Sequence, residues 1–454
     1  MELNFLELLD AVEGELLVEK KEKSFNKLST DTRKIEKDNI FLAIKGENFN
    51  GNKYVEEAME KGASIAIVDE IHFDIKSLDG KITVIKVEDT LESLLKLASF
   101  YRKKLGVKVV AVTGSCGKTS TKDLIAGFLS YKYKVFKTKG NFNNQIGLPL
   151  MILELDSTID VAVLEMGMSD LGEIHLLAET AKPDIAVITN IGLSHIENLK
   201  TQDNIMKAKL EVTDFFNKNN LLIVNGEDER LQNLSNRSFK VSKIGYNHEY
   251  DVYATNIILE ENQTSFDAHI HGESHTFILE MPGKHNVLNA MLAIRVAKEL
   301  EVSLEDMYKG IANIESTSMR LQVIKKDKIT IINDCYNASP DSMKSSLDVL
   351  NMYNNSRRVA ILGTMNELGE ESETAHKNVG EYAIDKVDLL IAIGSYSQSF
   401  KNGFKGETIE IYDTKEEFLN NVQSIIKEND IILVKASRGM KFEDIVNSLE
   451  EISI

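Results

Sequence analysis

Hydrophobic positions along this chain gather into short, nearly continuous runs separated by amphipathic stretches, which predicts buried parallel strands alternating with helices. Ile40-Phe41-Leu42-Ala43-Ile44 and Ala63-Ser64-Ile65-Ala66-Ile67-Val68 predict two strands, with a helix over Tyr54–Lys61 between them. Asp89-Thr90 opens a helix with apolar residues at Leu91, Leu94, Leu95 and Ala98, and Gly106 closes it. From Val107 onward strand and helix alternate, with strands at Val109–Val112, Val161–Glu165 and Asp184–Asn190. Between Tyr246 and Ile278 the pattern changes to alternation, which predicts hairpin-like strands ahead of a helix that begins near Gly283. Strands at Ile329–Asp334, Arg358–Leu362, Val387–Ile393 and Ile431–Val434 then alternate with helices over Asp341–Leu350 and His376–Asp385.

The run Val109–Val112 leads into Thr113-Gly114-Ser115-Cys116-Gly117-Lys118-Thr119-Ser120, and a helical pattern follows. Strand, glycine turn and helix in that order form a phosphate cradle: glycines let backbone N–H groups face phosphate oxygens, Lys118 brings a mobile charge, and the Thr119 hydroxyl can reach Mg²⁺. A glycine pair before a helix is often an ordinary turn, but GKT directly after a buried strand favours an ATP site. Val112 stands where the general GxxxxGK[ST] pattern has its first glycine. The expected fold is therefore α/β in three domains. These are a small N-terminal α/β domain (1–88), a central P-loop parallel-sheet ATPase-like domain (89–315) and a C-terminal Rossmann-like α/β domain (316–454). Ligands of such sheets sit at the strands' carboxyl ends, which puts Glu165 and Asn190 on one rim with the P-loop.

Composition narrows the function. A 454-residue chain with 43% hydrophobic and 27% charged residues is ordinary for a globular protein of several domains. A net charge of −18 without a basic stripe argues against nucleic acid as a partner, so a polyphosphate ligand needs a local cradle. The two cysteines, Cys116 and Cys335, make no disulfide framework and point to a reducing cytoplasm. Met1–Asp10 is acidic and amphipathic, unlike a signal peptide, and the longest apolar runs are too short to span a membrane.

Several polar residues sit where chemistry is expected, each with a plainer alternative. Glu165 can ligate Mg²⁺ beside Thr119 or be a solvated strand cap. His195 lies in a glycine-containing rim loop, where a ligand competes with a structural histidine. Lys209 is not distinguished from Lys207 on its helix. Asn286 in Gly283–Ala290 suits an adenine or phosphate contact or a helix cap. Arg320 and the cluster Asp334–Pro340 are offered by the third domain, and an Arg crossing a cleft can stabilise phosphoryl charge. Ser29–Arg33 and Lys45–Asn52 read as capping or turn segments on their own.

The compact TGSCGKTS loop resembles the P-loop of the Mur ligases and folylpolyglutamate synthetases. With STDTR, KGENFNG, GNFNNQIGLPL, LEMGMSDLGEI, TNIGLSHIENL, AKLE, GKHNVLNA, DCYNASPDSM, NELGEESETAH and LVKASRGMKFEDIV in order, the chain resembles a Mur ligase over nearly its whole length. LEMGMSDLGEI, the YNAxP block and ELGxxxxxxH point to the branch that joins D-alanyl-D-alanine to UDP-N-acetylmuramoyl-tripeptide, the last cytoplasmic peptide addition in peptidoglycan precursor synthesis.

The resemblance implies ATP and two Mg²⁺ ions as cofactors. Gly114, Ser115, Cys116, Gly117, Lys118, Thr119 and Ser120 would bind the nucleotide, together with Asn286, Arg320 and Asp334. Thr119 and Glu165 would share the first metal. His195 and a carbamylated Lys209 would hold the second, and Lys118, Glu165, His195 and Lys209 would carry catalysis. Ser29, Asp31, Thr32, Arg33, Lys45 and Gly46 would bind the UDP-sugar, while Asn143, Asn144, Asn337, Ser339, Pro340 and His376 would line the substrate cleft. A monomer without nucleic-acid or membrane partners is expected. Four departures from the usual family pattern are Asn52 for His, Met319 for Gly, Ser339 for Asn, and Thr364-Met365-Asn366 for Asp-Met-Leu. The alternatives are a related Mur ligase that adds a single amino acid and a non-ligase P-loop NTPase.

Overall fold

The computed structural model describes residues 1–270, 272–314, 317–406 and 408–452. The expected boundary between the second and third domains, at 315/316, and the chain end at 454 lie outside the described residues. Three sheets organise the rest, of five, nine and six strands.

The first sheet runs in the order Glu15–Val18, Thr83–Lys86, Ile65–Val68, Ile40–Leu42, Leu28–Ser29, parallel except at its Glu15–Val18 edge. Both predicted strands form, each shorter than its apolar run.

The helix Thr90–Leu105 then connects to the second sheet. The Asp89 carboxylate accepts the Glu92 N–H at 2.8 Å, and Gly106 ends the helix at φ +65°, a left-handed conformation that glycine adopts without strain. Thr90 Oγ1 donates to the Ala43 carbonyl (3.1 Å), and Ser93 Oγ donates to that of Val12 (3.2 Å), both in the first domain. At the other end Tyr101 OH donates to Leu155 O at 2.7 Å. The buried Leu94, Leu97, Ala98 and Tyr101 belong to an apolar cluster that runs from Leu8 and Ile67 through Leu148 and Leu177 to Leu347 and Leu362. One core therefore reaches all three domains.

In the nine-stranded sheet, Lys108–Thr113 is third from one edge and lies between Val161–Glu165 and Ile185–Ile188, all parallel. The register pairs Val112 with Glu165 and Thr113 with Ile188, so the three carboxyl ends form one rim. These strands are apolar on both faces because helices cover both sides. The alternating segment forms strands Val252–Leu259, Thr264–Ile270 and Glu273–Leu279, which pair antiparallel and continue the same sheet past Lys240–Gly245.

The third sheet runs Gln322–Lys325, Thr330–Asn333, Ile431–Lys435, Arg358–Gly363, Leu389–Ile393, Ile409–Tyr412, parallel except for the first strand. The strand that comes last in sequence, Ile431–Lys435, sits inside the sheet, the doubly wound arrangement whose carboxyl ends make a ligand crevice. The helix expected over His376–Asp385 spans Ser372–Tyr382, because the polar stretch before His376 supplies its first turn. No helix among the described residues is long and apolar enough to cross a membrane.

Candidate active site

The P-loop is shaped by two glycines. Gly114 has φ +149°, and a Cβ there would overlap Thr189 Oγ1; Gly117 has φ +79° and opens the helix Lys118–Leu129, where a Cβ would come 2.8 Å from Asn289 Oδ1. The neighbouring rim loop holds the turn. Cys116 N–H donates to Asn190 Oδ1 (2.9 Å), Thr189 Oγ1 and Asn190 Nδ2 donate to Cys116 O (2.5 and 3.1 Å), and Gly192 N–H donates to Ser115 Oγ (2.9 Å). Lys118 Nζ rests on the Gly114 carbonyl at 2.7 Å. Burial lowers the pKa of this ammonium, and the nearby Glu165 carboxylate opposes that shift.

Ser115 to Ser120 line a cavity of about 1060 Å³ that the central and third domains enclose between them. On its floor Thr119 Oγ1 donates to Glu165 Oε2 (3.0 Å), and Asn143 Nδ2 donates to Glu165 Oε1 (2.9 Å). Glu165 is only 4% exposed. Asn144 also lines the cavity, with its Oδ1 accepting the Ile146 and Gly147 N–H groups at 3.2 and 2.8 Å. A hydroxyl and a carboxylate side by side are the hard oxygen donors Mg²⁺ takes with phosphate and water, so the residues fit that ion. Among the described residues no group of three or more His, Cys, Asp or Glu is gathered to hold a metal unaided.

His195 lines the same cavity, and its Nδ1 lies 2.7 Å from Glu367 Oε2 of the third domain. Lys209 is 2% exposed, and desolvation, with the Lys118 charge adding to it, pushes its pKa well below the usual lysine range. Lys209 is not among the residues that line the cavity. The signal separating Lys209 from Lys207 was in the sequence: Ile205, Ala208 and Lys209 share one buried face, while Lys207 is exposed.

The third domain contributes the opposite wall. Arg320 lines the cavity with its guanidinium 4.3 Å from the Tyr336 ring centroid, and its buried Nε has no hydrogen-bond partner. An orphaned buried guanidinium nitrogen facing a P-loop is suited to an anionic ligand. Asp334 is fully engaged by Lys435 Nζ (2.5 Å), Ser346 Oγ (2.6 Å) and the Leu321 N–H (3.1 Å). Asn337 accepts Lys435 Nζ at its carbonyl (3.0 Å), and Ser339 Oγ meets Cys116 Sγ at 2.9 Å across the domain boundary. Asn286 of the central domain donates to Pro282 O (2.8 Å) and accepts from Asn289 Nδ2 (3.2 Å).

Other expected residues lie elsewhere. His376 does not face the cleft: it is fully buried, with Nε2 accepting the Met365 N–H (2.8 Å), Nδ1 2.6 Å from Ser372 O, and the ring stacked on Tyr396. Both nitrogens are satisfied, so it holds the loop before its own helix. Pro340 is the buried first residue of the helix Pro340–Leu350 and does not line the cavity. Ser29, Asp31, Thr32, Arg33, Lys45 and Gly46 are on the first domain, apart from the cavity lining. There Arg33 makes a two-pronged contact with Asp31, Thr32 Oγ1 donates to Glu57, and Lys45 Nζ lies 2.5 Å from Glu70. Glu367 and Lys435 were not singled out from the sequence as site residues. Each falls inside a quoted motif, but only the fold shows what it touches.

These features define a three-domain protein with a P-loop nucleotide site, and comparison supplies the class: the chain belongs to the Mur ligase family. Three family models match it, "Mur ligase family, catalytic domain" over residues 24–102, "Mur ligase middle domain" over 112–297 and "Mur ligase, glutamate ligase domain" over 319–438. Within the family, the chain is 40% identical to the UDP-N-acetylmuramoyl-tripeptide–D-alanyl-D-alanine ligase of Bacillus subtilis (strain 168), over 93% of each chain. A crystal structure of MurF from Acinetobacter baumannii superposes with a TM-score of 0.91 at 30% identity, over 98% of each chain. That of MurF ligase from Thermotoga maritima in complex with ADP gives 0.81 at 29% identity, over 94% of this chain and 97% of that one.

Proposed function

We propose that this protein is an ATP-dependent, ADP-forming ligase that joins D-alanyl-D-alanine to UDP-N-acetylmuramoyl-tripeptide, working as a monomer in the cytoplasm. The observation that carries the reading is the meeting of Lys118 and the Thr119–Glu165 pair with Arg320, whose buried Nε lacks a hydrogen-bond partner, in one cavity between two domains. The names of the relatives supply the substrates.

In this reading the tripeptide's terminal carboxylate attacks the γ-phosphorus of ATP, ADP leaves, and an acyl phosphate forms. The dipeptide amine then attacks the acyl carbon; the tetrahedral adduct expels inorganic phosphate, and the amine loses a proton to leave the amide. Two anions must meet in the first step, so the site has to offset their repulsion and exclude water. The P-loop N–H groups from Gly114 to Ser120 and the Lys118 ammonium hold the β- and γ-phosphates. Arg320 brings a second cation from the opposite wall, and Asn286 and Asp334 border the rest of the nucleotide. Thr119 and Glu165 would hold one Mg²⁺, and His195 with a carbamylated Lys209 a second; the ions supply charge neutralisation at the transferring phosphoryl group. Asn143, Asn144, Asn337 and Ser339, which line the cavity, would contact the substrates. Ser29, Asp31, Thr32, Arg33, Lys45 and Gly46 would bind the UDP-sugar on the first domain.

The test is product mass. Incubation with ATP, Mg²⁺, UDP-N-acetylmuramoyl-tripeptide and D-alanyl-D-alanine should yield the nucleotide pentapeptide, and a mixture that yields only ADP and phosphate contradicts the proposal.

A further inference from the structure

A smaller cavity of about 170 Å³ adjoins the central one of about 1060 Å³ beside Thr119. Thr119, Arg320 and Tyr336 line both, while Lys122, Lys137 and Lys139 line only the smaller. The lysines belong to the central domain, and Arg320 and Tyr336 close the recess from the third.

The lining is dominated by one sign of charge. Four cations, Lys122, Lys137, Lys139 and Arg320, share the recess with a single carboxylate, Asp123, in a chain whose net charge is −18. Asp123 is already engaged: Oδ1 lies 2.9 Å from Lys137 Nζ and 3.5 Å from Lys122 Nζ, and Oδ2 accepts the Thr317 hydroxyl at 2.6 Å. Lys122 is 3% exposed, and its Nζ also donates to the Thr138 carbonyl at 3.0 Å. Lys139 Nζ lies 2.5 Å from Glu154, which is not part of the lining. The buried Arg320 Nε has no hydrogen-bond partner. A recess with surplus positive charge concentrates anions, and lysine ammonium groups serve as point charges for phosphate. Volume selects among anions: space for on the order of ten waters admits an ion of a few atoms and excludes a nucleotide.

We propose that this side cavity binds inorganic phosphate at a position separate from that of the ATP γ-phosphate. The proposal rests on the ligase reading above for the source of the ion, since that reaction expels phosphate beside Lys118 and Thr119. The recess next to Thr119 receives it. Because one wall belongs to the third domain, separation of the two domains dismantles the site and frees the ion, which couples product release to opening of the cleft.

The test is equilibrium dialysis of ³²P-labelled inorganic phosphate against the full-length protein, with Mg²⁺ and a saturating non-hydrolysable ATP analogue to fill the γ-phosphate position. One phosphate per chain should still bind. Lys139→Glu, at an exposed side chain, should weaken that binding about 10- to 100-fold, the value of one charge-assisted contact. Lys218→Glu, at an exposed lysine outside both cavities, should leave it within about twofold, because surface charges beyond a Debye length are screened. Absence of saturable binding beside the analogue overturns the proposal, since phosphate then competes for the nucleotide's own position. Equal weakening by the two substitutions also overturns it, as does an unaffected Lys139→Glu. Displacement of the bound phosphate by D-alanyl-D-alanine would assign the recess to the acceptor's carboxylate and contradict phosphate as its occupant. None of these arms needs turnover, so failure of the protein to ligate would sink the ligase reading while dialysis still decides the site.

Discussion

Lys209 and His376 are both enclosed by the fold, and their partners separate them. Each sits on the apolar face of its helix, Lys209 with Ile205 and Ala208, His376 with Ser372, Ala375, Val379 and Gly380. That periodicity was readable in the sequence and places both side chains inside. What it did not carry is that His376 finds two backbone partners, whereas burial leaves the Lys209 amine far below its usual pKa. For His376, burial lowers the pKa from 6.5 to about 4. The unfolded chain therefore binds this proton more readily than the folded one between those values. The stabilisation from the neutral ring is full above pH 6.5 and is lost as pH falls toward 4, about 3 kcal/mol in all at roughly 1.4 kcal/mol per unit. Unfolding free energy measured from pH 7 to 4 should drop more steeply in the unmodified protein than in His376→Gln, and parallel curves would remove this account of the residue. At the P-loop, Lys118→Ala should lower kcat about 100- to 1000-fold, as loss of one preorganised charge contact typically does, with the fold intact by circular dichroism. A rate near that of the unmodified enzyme would mean that Lys118 does not hold transferring phosphate.

Among elements, the helix Thr90–Leu105 was the most fully legible, because both of its ends carry local chemistry, Asp89 at the start and Gly106 at the finish. Asp89→Ala removes the side-chain acceptor of the Glu92 N–H, and denaturant unfolding should register a loss of about 1 kcal/mol. An unchanged midpoint would show that water satisfies that donor equally well. The strands of the three sheets were legible as apolar runs, but their order was not, since pairing partners are set by packing among distant segments. The alternating stretch after Tyr246 illustrates this: its hairpin character was in the sequence, its role as an extension of the central sheet was not. Met319 shows the reverse case. It stands where glycine is usual in the family, and its φ of +61° supplies the physical reason, a left-handed turn that glycine adopts more easily. The turn persists, leading into Arg320 at the cavity wall.

At the scale of the whole molecule, the site is a property of two domains rather than one. The P-loop and its rim loop were predictable from contiguous residues, whereas Cys116 against Ser339 and His195 against Glu367 join positions far apart in the chain. A net charge of −18 makes the overall field unfavourable to a nucleotide, so affinity has to arise locally inside the cavity, from the P-loop, Lys118 and Arg320. The same enclosure explains why hydrolysis should be suppressed until both substrates are present: water must be excluded while two anions are brought together. Phosphate release from ATP is therefore the most direct measurement, run with UDP-N-acetylmuramoyl-tripeptide and with D-alanyl-D-alanine or single amino acids as acceptor. Release that requires both the tripeptide and the dipeptide is the predicted result. Release without an acceptor would contradict it in favour of a non-ligase ATPase, and release with a single amino acid would move the protein to another branch of the family.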